Sequence, residues 1–500
     1  MTWPSKTGHL STIQSSSFLT SPLDVSASNC IPTTLSSPPR VLIVGAGIGG
    51  LTLAILLELA GIPYELFERY HENKAYGSAI ALGPGVVPIF KQIGIYDEFL
   101  KLAKIASCIQ VFNEERKSEF VMDFAPLIKM GGASGFIIAR PALHELLRRQ
   151  IPDEKVHMGK RVRSMQQGDN WVKIQCTDNT SYTGDILVGA DGVNSGVRQS
   201  LYQQMKEAGT LVPSDGLAMP FSCVGLVGQT VPLKPSGYPG LEEEYSQFLT
   251  VLGENRPYSW STFTTKDNSI CWAVYQHLDK VSSKANDSFR ASDWGPEAAI
   301  AMCHEVYNFP IPGGVDNNME MRDLFDFTPK ELISKVVIEE KVFETWFDGR
   351  TVLLGDACHK FNPSGGAGAL TSMQDAVALA NWINVLPSHS LTDLEKIFKE
   401  YRAERLPIAK QTFETSQMLG KVTATNMKAK MTRFVTRHLP AWLWKIMLTK
   451  MAADRPQISF LPLVEDNGSL KPKAQPSLQK TISLAAASSS VALNLHGVAI

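Results

Sequence analysis

Apolar residues form short continuous runs near the start of this chain and again at two later points. The run from Val41 to Val44 is followed by clustered glycines and then by an apolar helical stretch from Leu51 to Ala60. A short apolar run bounded by glycine is typical of a buried parallel strand, so the pattern predicts the first strand and helix of an α/β fold. Similar runs end near Ala190 and span Thr351 to Leu354, which predicts that the same fold returns there.

The stretch from residue 205 to 340 has another pattern, in which the runs "SQFLTVL", "YSWSTFTT" and "SICWAVYQHL" are β-rich and aromatic. This predicts a second domain built on a mixed β-sheet. Just before it, "KRVRSM", "NWVKIQCT" and "SYTGDILVGA" predict an antiparallel meander that returns to a buried strand. Strand residues alternate between two faces, so five aromatic residues belong either to the sheet core or to a pocket lining: Tyr258, Trp260, Phe263, Trp272 and Tyr275.

The composition excludes several classes of protein. The formal net charge is −1 over 500 residues, whereas a nucleic-acid binder needs a basic excess for its phosphate contacts. The seven cysteines are odd in number and never spaced as CxxC, which excludes a disulfide scaffold and a zinc ribbon. No metal site is expected. The cysteine pattern suits a reducing compartment, so we expect a cytoplasmic protein, with membrane association as an open possibility.

Both ends of the chain differ from the middle. Residues 1–38 are rich in Ser, Thr and Pro and predict a disordered tail, and a flexible tail is expected over 466–500. The segment 416–465 between them predicts helix. It carries basic residues and the pair Trp442 and Trp444 in a stretch without acids. Such a helix either packs on the main domain or contacts the surface of an anionic membrane.

The first glycine cluster, "GAGIGG", is suited to hold phosphates. Gly45, Gly47 and Gly50 allow a tight turn and the close approach of a pyrophosphate to the N-terminus of the following helix. Glu68 follows the next strand, where an acid accepts a ribose hydroxyl. These features favour a dinucleotide site, for either NAD or FAD, and the alternative is a glycine-rich turn in an ordinary α/β core.

Two further motifs follow buried strands. "ADGVNSGVR" places Asp191 at the carboxyl end of one strand, and "GDACHKFNPSGGAGAL" places Asp356 at the end of another. The second motif continues through Pro363 and a glycine loop into an Ala- and Leu-rich helix. A second glycine loop that enters a helix N-terminus predicts a site for another large part of the same ligand.

Taken in order, GxGxxG, DGxxSxxR and GDAxHxxxPxxGxG resemble the single-component FAD-dependent aromatic hydroxylases, over residues 38–415. This family includes salicylate and para-hydroxybenzoate hydroxylases, zeaxanthin epoxidase and fungal secondary-metabolite monooxygenases. The resemblance implies that the ligand is FAD. It also implies a Rossmann-like FAD-binding domain formed by residues 39–204 and 341–415, with the substrate domain over 205–340.

The resemblance assigns roles to the motif residues. Gly45, Gly47 and Gly50 would approach the FAD pyrophosphate, and Glu68 would bind the adenosine ribose. The remaining assignments follow the chain: Arg140 contacts FAD, Asp191 is linked to FAD and the nicotinamide cofactor, Asp356 binds the ribityl chain, Gly368 and Ala369 direct helix amides at the flavin, and Pro363 faces the flavin beside the reaction site. Where the family often has Gln and Asn, this chain has Ala367 and Leu370, which affects the local polar contacts.

The implied reaction is that of a monooxygenase. NAD(P)H would reduce FAD, and O2 would then form a flavin C4a-hydroperoxide that hydroxylates or epoxidises an aromatic or lipophilic small molecule. His359 is a candidate base beside Pro363, although a histidine at this place is also expected as a residue packed behind the flavin. Two alternatives stay open: a flavin oxidase or dehydrogenase, and a non-catalytic flavin-binding protein.

Overall fold

The computed structural model describes residues 37–72, 78–254, 256–283, 295–423 and 441–496. The predicted N-terminal tail, 1–38, therefore lies outside the described residues except for its last two positions.

The described residues form an α/β fold with two large sheets. The strands are β1 Val41–Val44, β2 Tyr64–Phe67, β3 Ala79–Leu82, β4 Lys104–Ala106, β5 Cys108–Phe112, β6 Ser118–Asp123, β7 Gly135–Ala139, β8 Val156–His157, β9 Val162–Gly168, β10 Trp171–Cys176, β11 Ser181–Gly184, β12 Ile186–Gly189, β13 Pro220–Gln229, β14 Phe248–Leu252, β15 Tyr258–Thr264, β16 Ile270–Ser283, β17 Ser334–Glu339, β18 Lys341–Val342, β19 Phe347–Asp348, β20 Thr351–Leu353 and β21 His359–Lys360. The α-helices are α1 Ile48–Leu59, α2 Val86–Gln92, α3 Tyr96–Leu102, α4 Ala125–Gly131, α5 Arg140–Arg148, α6 Gly196–Glu207, α7 Pro296–Glu305, α8 Met321–Asp326, α9 Gly368–Asn384, α10 Leu391–Thr423, α11 Ala441–Ala452 and α12 Pro476–His496.

The first large sheet has the strand order β19-β20-β12-β1-β2-β8. Its strands are parallel except for the β19–β20 pair. Every residue of β1 is buried, which explains why this strand has no polar face in the sequence. Leu187 of β12 pairs with Thr351 of β20, so the two distant parts of the chain form one sheet, as the sequence pattern predicts.

Helices cover this sheet and bring its loops together. Helix α1 buries ten residues and packs against α9. The contact is close because Gly49 has no side chain: a Cβ there would lie 3.2 Å from Ser372 Cβ of α9 and 2.6 Å from Leu354 Cδ2. The predicted meander is present as the antiparallel strands β9, β10 and β11, which lead into β12.

The second large sheet has the order β17-β13-β16-β15-β14-β5-β6. Two of its strands, β5 and β6, come from before residue 205, so this sheet includes chain outside the predicted range 205–340. One face packs against α7 and α8. Tyr258, Trp260 and Trp272 belong to that core, so the structure corrects the option that these three aromatic residues line a pocket on the opposite face.

The C-terminal part of the chain is docked on the first domain. Between α11 and α12, residues 453–475 cross α9 and α10; Asn381 of α9, for example, donates a hydrogen bond to Gln457 O at 3.0 Å and accepts one from Ser459 N–H. The structure has helix α12 where the sequence pattern predicted a flexible tail. Among the helices described, none combines the length and apolar character needed to span a bilayer.

Candidate cofactor site

The first glycine loop connects β1 to α1. Gly45 has a φ of +106°, and a Cβ at this position would lie 2.5 Å from Ala190 O. A Cβ on Gly50 would lie 2.0 Å from Gly45 O. Gly47 differs, because a Cβ there would meet nothing within 4 Å. Gly45 and Gly50 therefore permit the turn, while Gly47 keeps an open space at the N-terminus of α1.

Glu68 lies beside this loop, as the sequence predicts. Its Oε2 accepts a hydrogen bond from Ala46 N–H at 3.0 Å, and its Oε1 accepts one from Tyr70 N–H at 3.0 Å. The carboxylate is thus fixed at the end of β2, next to the open space above Gly47. Helix α1 has no acidic residue in its first turn and no side-chain cap, so its N-terminal amides remain suited to an anion.

The second motif places Asp356 in the turn that follows the buried strand β20, which ends at Leu353. Its Oδ2 lies 2.6 Å from the Nζ atom of Lys360. Its Oδ1 is oriented toward α9, since a Cβ on Gly368 would lie 3.9 Å from it. The carboxylate therefore stands between a lysine and the N-terminus of α9, whose first turn has no acidic residue.

The electrostatic surroundings of Asp356 favour its ionised form. Burial alone would raise the pKa of this carboxyl, but the positive charge and hydrogen bond of Lys360, with smaller contributions from His359 and Arg140, bring the pKa below its usual value. Arg140 is exposed at the start of α5, and its backbone N–H donates to Ser78 O. The structure thus brings Arg140 and Asp356 into one electrostatic neighbourhood, although they are far apart in sequence.

Pro363 is exposed at the start of the loop that enters α9. Asn362 fixes this loop to the second sheet, because its Nδ2 donates to Glu340 Oε1 at 2.7 Å and Glu340 directly follows β17. On the other side, a Cβ on Gly365 would lie 2.2 Å from Ser416 Oγ of α10. The loop is therefore held between the end of β17 in the second sheet and helix α10, and it leads to Ala369 in the first turn of α9.

His359 lies in the protein core. Its side chain has no exposed surface, and its Nε2 lies 2.6 Å from Asp375 Oδ2. The ring stacks on Phe361 with 4.7 Å between centroids. This geometry matches a residue packed in the core behind the motif, and it leaves His359 without a path to a molecule beside Pro363.

Asp191 is surrounded by donors from its own turn. Ser195 Oγ donates to its Oδ1, while the backbone N–H groups of Gly196 and Val197 donate to its Oδ2 at 2.7 and 3.2 Å. Burial raises the pKa of this carboxyl even though these hydrogen bonds oppose the shift. The carboxylate thus holds the N-terminus of α6.

Two residues that shape the site have no role predicted from the sequence. Arg198, two residues into α6, donates from Nη1 to Ala357 O at 2.8 Å and so connects the Asp191 turn to the Asp356 motif. Lys360 was not singled out either. Both are motif neighbours with charged side chains, but their partners depend on contacts between distant loops.

The site as a whole fits a dinucleotide. Helices α1 and α9, whose first turns carry no acidic residue, approach each other near their N-termini, where a Cβ on Gly49 would lie 3.2 Å from Ser372 Cβ. Two cationic side chains, Lys360 and Arg140, act on the Asp356 carboxylate. A methyl group added at Gly47 would enter the open space at the N-terminus of α1, where no atom of the described residues lies within 4 Å of it. A ligand with phosphates at one end and polar hydroxyls beside them matches this set of donors and acceptors.

Comparison with known proteins gives the same result. The model of a family described as FAD binding domain matches residues 39–229 and 324–416. The chain is 26% identical to the FAD-dependent monooxygenase atmM of Aspergillus flavus, covering 86% of this chain and 88% of that protein. It is 31% identical to the FAD-dependent monooxygenase verC1 of Penicillium polonicum, covering 77% of this chain and 47% of that protein.

Solved structures share the fold. Klebsiella pneumoniae HpxO, complexed with FAD and uric acid, matches with a TM-score of 0.65 at 20% identity, covering 82% of this chain and 96% of that one. The 2,6-dihydroxypyridine-3-hydroxylase of Arthrobacter nicotinovorans matches with a TM-score of 0.58 at 16% identity, covering 78% of this chain and 93% of that one.

Proposed function

We propose, from the premise that this chain belongs to the FAD-binding-domain family and is an FAD-dependent monooxygenase, that NAD(P)H is its reductant and that its substrate is an aromatic or lipophilic small molecule. The observation that supports the proposal is that two helix N-termini without acidic residues and an Asp356 carboxyl with a lowered pKa come from the two glycine-loop motifs. Hydroxylation and epoxidation are both compatible with it.

The first loop would bind the ADP half of FAD. Gly47 leaves room for the pyrophosphate, which the N-terminal amides of α1 would then contact, and Gly45 and Gly50 hold the turn in shape. Glu68 would accept the adenosine ribose hydroxyls, since its carboxylate is already fixed beside Ala46. These residues bind and orient, and they take no part in bond changes.

The second loop would bind the other half. Asp356 would accept the ribityl hydroxyls through the oxygen that faces α9, with Arg140 nearby as a contact to FAD. The N–H groups near Gly368 and Ala369 would donate to the flavin edge and stabilise negative charge there. Bound FAD supplies the redox chemistry and the activation of O2.

Pro363 would border the reaction site, where the loop approaches the second sheet. Because Asn362 holds Glu340 and Ser416 packs on Gly365, this loop has a defined position and would help to exclude water from the substrate. We assign His359 a positioning role behind the loop, because it is fully buried and bonded to Asp375.

The nicotinamide cofactor would be linked to the Asp191 turn. Support comes from the contact of Arg198 with Ala357, which connects this turn to the Asp356 motif. Peripheral membrane contact by the 416–453 segment is a further proposal that rests on its sequence alone, because the side chains of Trp442 and Trp444 lie outside the described residues.

The decisive experiment measures what the purified, FAD-loaded protein does with NADH and NADPH across a panel of aromatic and terpenoid-like compounds. A monooxygenase shows substrate-stimulated NAD(P)H oxidation and a product that carries one atom from isotopically labelled O2. An oxidase or dehydrogenase would convert substrate without incorporating that label, and a non-catalytic flavoprotein would show neither result.

A further inference from the structure

We propose that Lys360 is the positioning residue of Asp356: its ammonium group orients the carboxylate toward FAD. This inference rests on the proposed binding of FAD by Asp356. The starting observation is the 2.6 Å ion pair between Lys360 Nζ and Asp356 Oδ2, whose side chains are 29% and 30% exposed. Neither group is fully solvated, so the pair is more than a mobile surface contact.

The two oxygens of the Asp356 carboxylate differ in their hydrogen bonds. Within the described residues, Lys360 is the side chain that donates to Oδ2, and no donor contacts Oδ1. Asp191 provides the contrast, because donors from its own turn contact both of its oxygens. Of these two motif aspartates, Asp356 is therefore the one with an oxygen that no donor among the described residues contacts.

Oδ1 of Asp356, the oxygen without a donor among the described residues, faces helix α9. Oδ1 lies 3.9 Å from the position that a Cβ would take on Gly368, at the N-terminus of α9. Since a carboxylate is planar, holding Oδ2 at Lys360 fixes the direction of Oδ1. Lys360 thus sets which way the acceptor points before the ligand arrives.

The backbone of Lys360 is itself held in place. Lys360 pairs with Lys341 in the short antiparallel strands β18 and β21. The preceding residue, His359, is anchored in the core through Asp375. A lysine on so fixed a backbone can hold the carboxylate in one orientation at a lower entropic cost than a lysine on a free loop.

Charge supports the same role. The groups that act on the Asp356 carboxyl are Lys360 and His359 from β21 and Arg140 from α5, and Lys360 contributes most among them. Without Lys360, burial would be offset only by the two weaker groups. The carboxyl of such a variant would take up a proton at a higher pH and lose its value as an acceptor.

The test compares Lys360→Met, Lys360→Arg and the control Lys410→Met. The control removes a lysine of α10 that forms an ion pair with Glu344. FAD is titrated into each apo-protein, followed by quenching of flavin fluorescence, between about pH 5.5 and pH 8.5. We expect Lys360→Met to bind FAD ~10-fold more weakly at neutral pH and to lose further affinity as the pH falls. Lys360→Arg and Lys410→Met should stay close to the unaltered protein.

A double-mutant cycle with Asp356→Asn isolates the pair. In that background Lys360→Met should cause little further loss, because there is no carboxylate left to orient. Additive losses, or wild-type affinity of Lys360→Met at every pH, would overturn the proposal. Should Lys360→Met fail to fold, Lys360→Gln in the same cycle gives the same decision. Failure of the unaltered protein to bind FAD would instead contradict the proposed function.

Discussion

The Nε2 atom of His359 lies 2.6 Å from Oδ2 of Asp375, and neither side chain has any exposed surface. The other oxygen of Asp375 accepts from Arg405 Nε at 2.7 Å, and Arg405 Nη1 in turn contacts Asp454 Oδ2 at 3.0 Å. The buried network therefore runs from the motif that carries Asp356, through α9 and α10, to the chain that follows α11. It ties the C-terminal region to the cofactor site.

Replacing His359 should weaken the fold most in acid. Burial would raise the pKa of Asp375, but His359 and Arg405 lower it below its usual value. Such a carboxylate stabilises the fold above the unfolded pKa of about 3.9, and this stabilisation is lost as the pH falls. In His359→Leu the folded pKa rises, so the loss should begin at a higher pH. Melting temperatures of the apo-protein across the acid range would show it, and parallel profiles for the two proteins would contradict it.

Two truncated proteins should show that the docked residues after α11 contribute to stability and that the last residues of the chain do not. Ending the chain after residue 453 removes one of the two acidic partners of the buried Arg405 and the groups that bond Asn381, so we expect a loss of several kcal/mol from the weakened ion-pair network and the unpaired amides. Ending it after residue 487 leaves those contacts intact and should change the melting temperature little. Equal stability of both truncated proteins would show that the docking is dispensable.

Two alanine substitutions in the first glycine loop should reduce different properties of the protein, one its stability and the other its affinity for FAD. Gly50→Ala places a Cβ 2.0 Å from Gly45 O, so it should destabilise the protein even without FAD. Gly47→Ala meets no protein atom within 4 Å and should leave the melting temperature of the apo-protein nearly unchanged. We expect it to weaken FAD binding instead, because the methyl group occupies the space proposed for the pyrophosphate. Flavin titration and thermal unfolding of both variants distinguish the two effects.

Asp191→Ala should have two measurable effects. The loss of a side chain that holds the N-terminus of α6 is expected to cost about 1 kcal/mol of stability, as for other helix caps. If the turn also binds the nicotinamide cofactor, flavin reduction by NAD(P)H in stopped-flow experiments should slow by much more than this loss explains. A reduced melting temperature with an unchanged reduction rate would leave Asp191 as a structural turn residue alone.

The basic segment around Trp442 and Trp444 gives a prediction about location. If it lies on a membrane, the protein should sediment with vesicles that contain anionic lipid, and less so as salt rises, because attraction of about 1 kcal/mol per basic residue is screened over ~8–10 Å. Replacing both tryptophans with Ala should weaken binding even at low salt, since apolar burial is not screened. A helix that only packs on the protein would show no vesicle binding and a lower melting temperature in the double variant.

The first glycine loop could be predicted from sequence because its causes are local. A buried strand, the residues that permit the turn and Glu68 lie within one βαβ unit, and the structure places them together. The ion pair of Asp356 with Lys360 was missed although the two are four residues apart, because their meeting depends on the pairing of β21 with β18. The contact of Arg405 with Asp454 lacks any local pattern at all.

The second sheet shows the same limit. Alternation identified its strands, but it did not reveal that β5 and β6 join the sheet, since strand neighbours in space are not set by local periodicity. Nor did it settle which face each aromatic residue takes. Trp260 and Trp272 face the core under α7 and α8 because those helices cover that side.

The pairing of Leu187 with Thr351 also has a consequence for how the chain is made. On the ribosome, β1, β2 and β12 emerge long before β20, and β13 to β17 follow in between. The first sheet therefore keeps an open, apolar edge at β12 for much of synthesis, which exposes the nascent protein to aggregation. Closure over so long a loop is slow compared with local folding. We expect that a chaperone that shields β12 raises the yield of FAD-competent protein more than any change at the cofactor site itself.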